Sequence, residues 1–210
     1  MSGAVQMSWW SLGYYFLLLL IPIAILLYFK IKIIRSLLVS VMRMVVQLAF
    51  VGLYLEYIFK LDNPWINCLY IFIMVAVAAQ TTISKSGLRF RVFFPYLLMS
   101  FVLTLGFGFL TFLIVLDIET FFSARYLIPI GGMVLGNILR GNIVSLERFY
   151  QSLSRRQDEY IYYVSLGAGR WEAFRPFAAE SIKAALSPYL ATIATMGLVS
   201  LPGMMTGQIL

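Results

Sequence analysis

Ionisable side chains inside long apolar stretches are the residues of this sequence with the clearest capacity for chemistry. A charged group within hydrocarbon is costly, so it is usually retained where it faces a protein interior or a water-filled path. Such groups, one of them with a neighbouring amide, occur at four places: Arg43 with Gln47, Glu56, Arg140, and Glu180 with Lys183. Each place is therefore a candidate for the binding or passage of a polar solute.

The first of these places has two explanations. Arg43 and Gln47 are four residues apart, so they share one face of a helix and could line an internal polar path. Alternatively, Arg43 extends its side chain to the membrane surface, since Arg35 lies only eight residues before it. The sequence leaves both explanations open.

The two carboxylates have neighbours that account for them without a role in transport. Glu56 and Lys60, again four residues apart, have the spacing of an outward-facing ion pair. Glu180 and Lys183 are three residues apart near one end of an apolar run. There they could neutralise each other or bind the polar segment that precedes them, and substrate contact is the weaker interpretation.

A glycine-rich stretch opens the fifth apolar run. Gly132 and Gly136 form a GxxxG pair, which lets another helix approach closely, and Asn137 can form a hydrogen bond across such a contact. Helix packing is the leading interpretation. Pro129, at the start of the run, and Asn137 within it are also residues that a gate or a substrate path would use.

Catalytic groups are scarce in this sequence. It contains no histidine and a single cysteine, Cys68. This excludes histidine bases, histidine metal ligands and cysteine clusters. The sequence also lacks a glycine-rich phosphate loop with an adjoining lysine, and it has no closely spaced carboxylates within a span. We therefore expect that the chain is not itself an enzyme.

The composition requires a membrane environment to position these residues. Hydrophobic residues make up 61% of the chain, charged residues only 12%, and the mean hydropathy is +0.89. Soluble domains carry roughly 25% charged residues. Because the apolar runs are continuous rather than alternating, they favour membrane-spanning helices over the strands of a barrel. The sequence predicts an all-α, polytopic membrane protein.

Six spans are predicted, at about residues 9–29, 35–59, 64–83, 92–116, 126–149 and 176–201, in one transmembrane domain. Basic residues near span ends are retained in the cytoplasm. The junctions that follow spans one, three and five carry eleven of them: Lys30, Lys32, Arg35, Lys85, Arg89, Arg91, Arg148, Arg155, Arg156, Arg170 and Arg175. The opposite junctions carry two, Lys60 and Arg125. We therefore expect the N-terminus outside the cell and these three junctions in the cytoplasm.

The net charge of +7 needs no nucleic-acid partner. Basic residues beside cytoplasmic span ends follow from topology and from attraction to anionic lipid. We therefore expect contact with membrane lipid and none with nucleic acid. The expected location is the cell membrane, or the inner membrane if the cell is Gram-negative.

Residues 151–174, between spans five and six, form a long connection of mixed character. Tyr160, Ile161 and Val164 lie on one face of a short helix, and the glycines at 167 and 169 can end or turn it. This apolar face predicts a cytoplasmic amphipathic helix that packs against an apolar surface. The surface is either the lipid interface, which Trp171 would suit, or a groove in a soluble partner.

Four ordered motifs carry a resemblance to a known family: PIGGMVLGN at 129–137, VSLGAGRWEAF at 164–174, ESIKAALSP at 180–188 and GLVSLPGMMTGQIL at 197–210. Together they resemble the FetB family of ABC transporter permeases, of the iron-export type and related to plant aluminium-sensitivity proteins. Over the first four spans the similarity lies in hydropathy and in RMVVQLAFVG at 43–52. The resemblance implies a homodimeric permease driven by a separate cytoplasmic ABC ATPase, with iron or another metal ion as the exported substrate.

The resemblance also gives the amphipathic helix a role. In ABC permeases a short cytoplasmic helix before a membrane span transmits closure of the ATPase. Carried onto this chain, the coupling residues are Glu159, Tyr160, Val164, Leu166, Gly167, Ala168 and Trp171. The chain departs from the family pattern at Tyr162, where relatives tend to carry an acidic residue. The resemblance implies no cofactor on this chain, with ATP and magnesium held by the ATPase.

The path and the metal ligands are less well defined by the sequence. Candidates for the path or its gate are Arg43, Gln47, Glu56, Pro129, Asn137, Pro202, Gly203, Met204 and Met205. Candidates for metal ligands are Met133, Met204, Met205, Asn137, Gln47 and Glu56, and thioethers suit copper(I) better than iron(III). Consecutive methionines point about 100° apart on a helix, so a bend at Pro202 is favoured over a metal site there.

Two further expectations concern the whole protein. Family members continue beyond residue 210 into at least one more span, so we expect the chain to be shorter than its relatives at the C-terminus. The rival to transport is a membrane scaffold or regulatory protein whose cytoplasmic helix binds lipid or a partner.

Overall fold

The computed structural model describes residues 17–61, 63–116 and 123–196. Within these ranges the chain forms seven α-helices: α1 (Leu20–Tyr28), α2 (Ile34–Leu61), α3 (Pro64–Ser86), α4 (Phe90–Leu116), α5 (Ala124–Arg155), α6 (Gln157–Ser165) and α7 (Arg170–Thr195). The all-helical fold class is confirmed. Its physical basis is that a helix satisfies its own backbone hydrogen bonds, which hydrocarbon cannot do.

Four of these helices contain segments long and apolar enough to cross a membrane: Ile34–Val51, Pro64–Ser86, Phe90–Val115 and Tyr126–Arg155. They correspond to predicted spans two to five. Predicted spans one and six each extend beyond the described residues. Helices α1 and α7 lie within or across their described parts, but neither helix is among these four.

The ends of α3 show how local sequence sets a helix boundary. The Asn63 side chain accepts a hydrogen bond from the Trp65 amide at 3.0 Å, and Pro64 occupies the first helical position, where no amide donor is needed. Gly87 ends the helix in a left-handed conformation, φ +67°, which glycine adopts without steric cost. The next helix begins three residues later, so the turn between α3 and α4 is short.

The helices divide into two units after Lys60. In the first unit α1 has no buried residue. In the second unit α3, α4 and α5 form a common core, which consists of Ile71, Val75, Ala78, Ala79, Phe101, Leu105, Leu127, Ile130 and Leu135. A Cβ atom at Gly131 would lie 2.8 Å from Ile71 Cδ1 and 3.1 Å from Phe109 Cζ, so the absence of a side chain there allows close packing.

The second unit also contains the two helices that follow α5. Ala173 and Phe177 of α7 are fully buried. The Phe174 ring lies 6.1 Å from that of Phe149 on α5 and stacks on that of Tyr160 on α6 at 4.7 Å. Helices α5, α6 and α7 are therefore joined by aromatic contacts at the end of α5 where its charged residues begin.

The segment at 151–174 is more helical than a connection between spans. Helix α5 continues to Arg155, Arg156 alone separates it from α6, and α7 begins at Arg170. The clustered charges end the apolar run, but they do not end a helix, because Arg, Gln and Glu are good helix formers in water.

Gly131 provides a test of the close approach between α3, α4 and α5. We expect Gly131→Val to lower the free energy of unfolding by about 1–3 kcal/mol, because the new side chain overpacks the contact with Ile71 and Phe109. Gly136→Val is the matched control, since a Cβ there meets nothing within 4 Å. Thermal unfolding of the two variants in detergent measures the difference, and equal losses would contradict this account of the packing.

Candidate functional site

A groove between α5 and α7 in the second unit is lined by polar side chains from both helices. The part of the groove beside Asn137 and Arg140, called its upper part below, has a volume of about 640 Å³. The lining residues are Asn137, Arg140, Gly141, Ile143 and Val144 of α5, with Ala185, Pro188, Tyr189, Thr192 and Ile193 of α7 and Met196 just after it. The spacing of three and four residues along both helices explains this lining, because such positions share one helix face.

A hydrogen bond joins α5 and α7 across the upper part of this groove. The Tyr189 hydroxyl donates to the Asn137 carbonyl at 2.5 Å. A Cβ atom at Gly141 would lie only 3.2 Å from the Tyr189 hydroxyl oxygen, so glycine gives the phenol room to reach the α5 backbone. The predicted role of Asn137 as a cross-helix partner is thus filled by its carbonyl rather than its amide.

Arg140 lines this upper part of the groove from α5, and its side chain is exposed. No hydrogen bond or ion pair engages its guanidinium within residues 17–61, 63–116 and 123–196. Among these residues Arg140 therefore has a charge without a partner, and it lies beside a cavity.

A charged network holds the other end of the groove. Arg148 Nη2 lies 2.6 Å from Glu180 Oε1, and the Ser152 hydroxyl donates to Glu180 Oε2 at 3.0 Å. Arg156 pairs with the same Oε2 atom and with the Ser152 hydroxyl, and its guanidinium lies 5.0 Å from the centre of the Phe177 ring. One exposed ion pair contributes little, but shared partners make this set a network.

This network connects α6 to the rest of the second unit. Arg156 is the one residue between α5 and α6, and its Nη1 atom also lies 3.6 Å from Glu159 Oε2 of α6. Of the two interpretations of Glu180, the structure shows binding to the preceding polar segment rather than neutralisation by Lys183. Sequence reasoning missed Arg148, Ser152 and Arg156 as partners. Their spacing of four residues places them on one face, which was the available signal.

The predicted coupling residues lie on and just after α6. Leu166 and Trp171 are highly exposed, at 67% and 72%, and Val164 is also exposed. Gly167 has a φ of +89°, a conformation that ends α6 and favours glycine. The remaining three, Glu159, Tyr160 and Ala168, are partly buried. The result is a short helix with apolar side chains at its end that no described residue covers.

The remaining predicted residues are spread along the chain. Arg43 and Gln47 are exposed on α2, Glu56 lies in α2 with a side chain outside the described set, and Pro129 is exposed within α5. Pro202, Gly203, Met204 and Met205 lie outside the described residues.

The predicted packing glycines and metal ligands have the following positions. A Cβ at Gly132 would lie 3.4 Å from Met74 Cε, whereas Gly136 faces open space, so Gly131 is the position of closest approach in this stretch. Met133 is 48% exposed. Among the described residues, no group of three or more His, Cys, Asp or Glu side chains could hold a metal ion.

The sequence matches the profile of the family described as "Uncharacterised protein family (UPF0014)" over residues 9–210. The chain belongs to this family. Its relatives include "UPF0014 membrane protein YjkA" of Bacillus subtilis, 33% identical over 97% of this chain and 80% of the relative. With the apolar helices, this makes the chain a multi-pass membrane protein.

Two other members of the UPF0014 family carry functional names. "Probable iron export permease protein FetB" of Escherichia coli is 34% identical over 91% of this chain and 74% of its own length. "Protein ALUMINUM SENSITIVE 3" of Arabidopsis thaliana is 34% identical over 81% and 62%. The resemblance found in the four motifs is thereby confirmed. No solved structure matches the chain significantly.

The network around Glu180 predicts a change in protease sensitivity. Glu180→Gln removes the charge that engages Arg148 and Arg156, so we expect trypsin to cleave after Arg156 several-fold faster in the folded protein. Glu147→Gln is the control, because Glu147 forms no ion pair within the described part of the chain. Peptide mass spectrometry of timed digests measures both rates. Equal rates in the two variants would show that Glu180 does not hold this junction.

Proposed function

We propose that this protein is the membrane-spanning permease subunit of an ABC exporter of iron or another metal ion. Two copies would form the transport unit, each bound to a separate cytoplasmic ATPase. The single observation that carries this proposal is α6, a short helix with uncovered apolar residues at its end and a charged network at its beginning.

The geometry of α6 suits the transmission of force. Arg156, just before the start of α6, forms an ion pair with Glu180 of α7 and a hydrogen bond with Ser152 of α5. The far end of α6 presents Leu166 on the exposed surface. A movement applied to that surface would reach both walls of the groove through the network, because packed elements shift as bodies rather than deform smoothly.

The topology we propose places α6 in the cytoplasm. It comprises six spans with the N-terminus outside, as the distribution of lysine and arginine favours. In this arrangement Arg148, Arg156 and Glu180 lie near the cytoplasmic surface, where water and lipid headgroups stabilise their charges.

The nucleotide chemistry belongs to the partner in this proposal. ATP and magnesium would be bound by the ATPase, which supplies the phosphate-binding loop. The permease would supply the solute path and the surface of α6. The name of the Escherichia coli relative supports permease function and iron as a candidate substrate.

A site-specific cross-link at Leu166 tests the proposed partner. With a photoreactive amino acid at Leu166, irradiation of native membranes is expected to produce an adduct whose partner peptides come from a protein with a glycine-rich phosphate loop. Leu166→Asp is expected to reduce co-purification of that partner at least about tenfold, because a charge replaces an apolar contact.

The controls separate coupling from membrane anchoring. Gln157→Glu adds the same charge at the other end of α6, where a helix N-terminus stabilises it, and should leave co-purification unchanged. Adducts to lipid alone, with no ATPase recovered, would contradict the proposal and support the interfacial helix of a scaffold protein.

A further inference from the structure

Arg140 lies near the middle of α5, the longest helix among the described residues. Helix α5 has 32 residues and therefore extends about 48 Å. The next basic residue towards the charged end is Arg148, about 12 Å further along the axis. Arginines that serve only as membrane anchors lie near span ends, whereas those within a span face a protein interior or a water-filled cavity.

The surroundings of Arg140 supply no negative charge. None of the residues that line the upper groove in the described chain is acidic. At the other end of the groove, Glu147 and Glu180 line a second cavity of about 510 Å³ together with Lys183. Glu180 is already paired with Arg148 and Arg156. The charge of Arg140 is therefore not neutralised from within the described part of the fold.

The side-chain groups of the groove that remain free for hydrogen bonding include donors that an anion could accept from. The Tyr189 hydroxyl donates to Asn137, and the Thr192 hydroxyl donates to the Pro188 carbonyl at 2.9 Å. The side-chain donors that remain are the guanidinium of Arg140 and the amide of Asn137, which lie one helical turn apart on α5. A planar guanidinium beside an amide suits the oxygens of a carboxylate or phosphate.

We propose that the groove between α5 and α7 binds its solute as an anion, through a carboxylate or phosphate group held by Arg140. This inference rests on the proposed transport function and names the substrate class for it. A hydrated metal cation would meet the repulsion of Arg140, and no carboxylate among the described lining residues would offset it. A metal could pass as an anionic complex, and the same chemistry would admit a metal-free organic anion.

The sign of the local field is tested on the full chain without any ATPase. Thr192→Cys places a thiol in the groove, in a Cys68→Ser background because Cys68 is exposed. Anionic thiosulfonate reagents should modify this thiol faster than cationic ones. Arg140→Gln should reduce the ratio of the two rates at least about fivefold, since the positive charge is lost. Arg91→Gln, an exposed position at the start of α4, should leave the ratio unchanged.

Transport by vesicles that contain the permease and its ATPase identifies the transported species. The probes are iron(II) alone, doubly labelled iron(III) citrate, and citrate alone. We expect ATP-dependent accumulation of the citrate label, with or without iron, at least about tenfold lower in Arg140→Gln and largely retained in Arg140→Lys. Accumulation of both labels in constant ratio indicates a metal complex, and accumulation of citrate alone indicates an organic anion.

The outcomes that overturn this inference differ from those that overturn the function. Transport of iron(II) without citrate, equal in the wild type and Arg140→Gln, would refute the anion site and leave the exporter proposal standing. Failure of every label to accumulate would refute the exporter proposal. In that case the thiol modification rates still test the anion site. An unchanged ratio of the two rates in Arg140→Gln would refute that site.

Discussion

The contact between α5 and α7 is the interaction on which the other features depend. It is fixed at two heights. The Tyr189 hydroxyl binds the Asn137 carbonyl, and the Glu180 carboxylate binds Arg148 and Ser152 nearer the end of α5. Between and beside these points lies the groove with Arg140. These two connections contribute to the geometry of the groove, and the second also contributes to the attachment of α6.

Helix α5 also connects this contact to the apolar core. Its other faces pack on α3 and α4 through Leu127, Ile130 and Leu135. Gly131 lies at this interface, where a side chain would clash with Ile71. One helix therefore combines a tightly packed apolar face, which resists rearrangement, with a polar face bound by a few hydrogen bonds and ion pairs. A conformational change would be accommodated more readily on the second face, since directional polar contacts can exchange partners while close-packed ones cannot shift singly.

Much of the fold could be predicted because hydrocarbon leaves the backbone few alternatives. The continuous apolar runs predicted helices at 35–59 and 64–83, and α2 and α3 cover them. The ends were less predictable. Helix α5 continues past the last apolar residues to Arg155, since charge marks a change of solvent while helix formation in water depends on propensity and packing. The sequence indicated Gly132 and Gly136 as the packing pair, whereas the closest approach is at Gly131. A local motif does not specify the distance to a neighbouring helix.

The sequence by itself determined the environment, the helical class and the family, through composition, apolar run length and the ordered motifs near the C-terminal end. It also marked Arg140 and Glu180 as costly groups in need of an explanation. Only the tertiary structure decided between the explanations. It brings Arg148 and Arg156 to Glu180 across 32 and 24 residues of chain. Among the residues it describes, it leaves Arg140 facing a groove without a carboxylate partner. The physical reason is that ionic partners are selected by the packing of distant helices, and that packing depends on side-chain shape along whole helix faces rather than on neighbours in sequence.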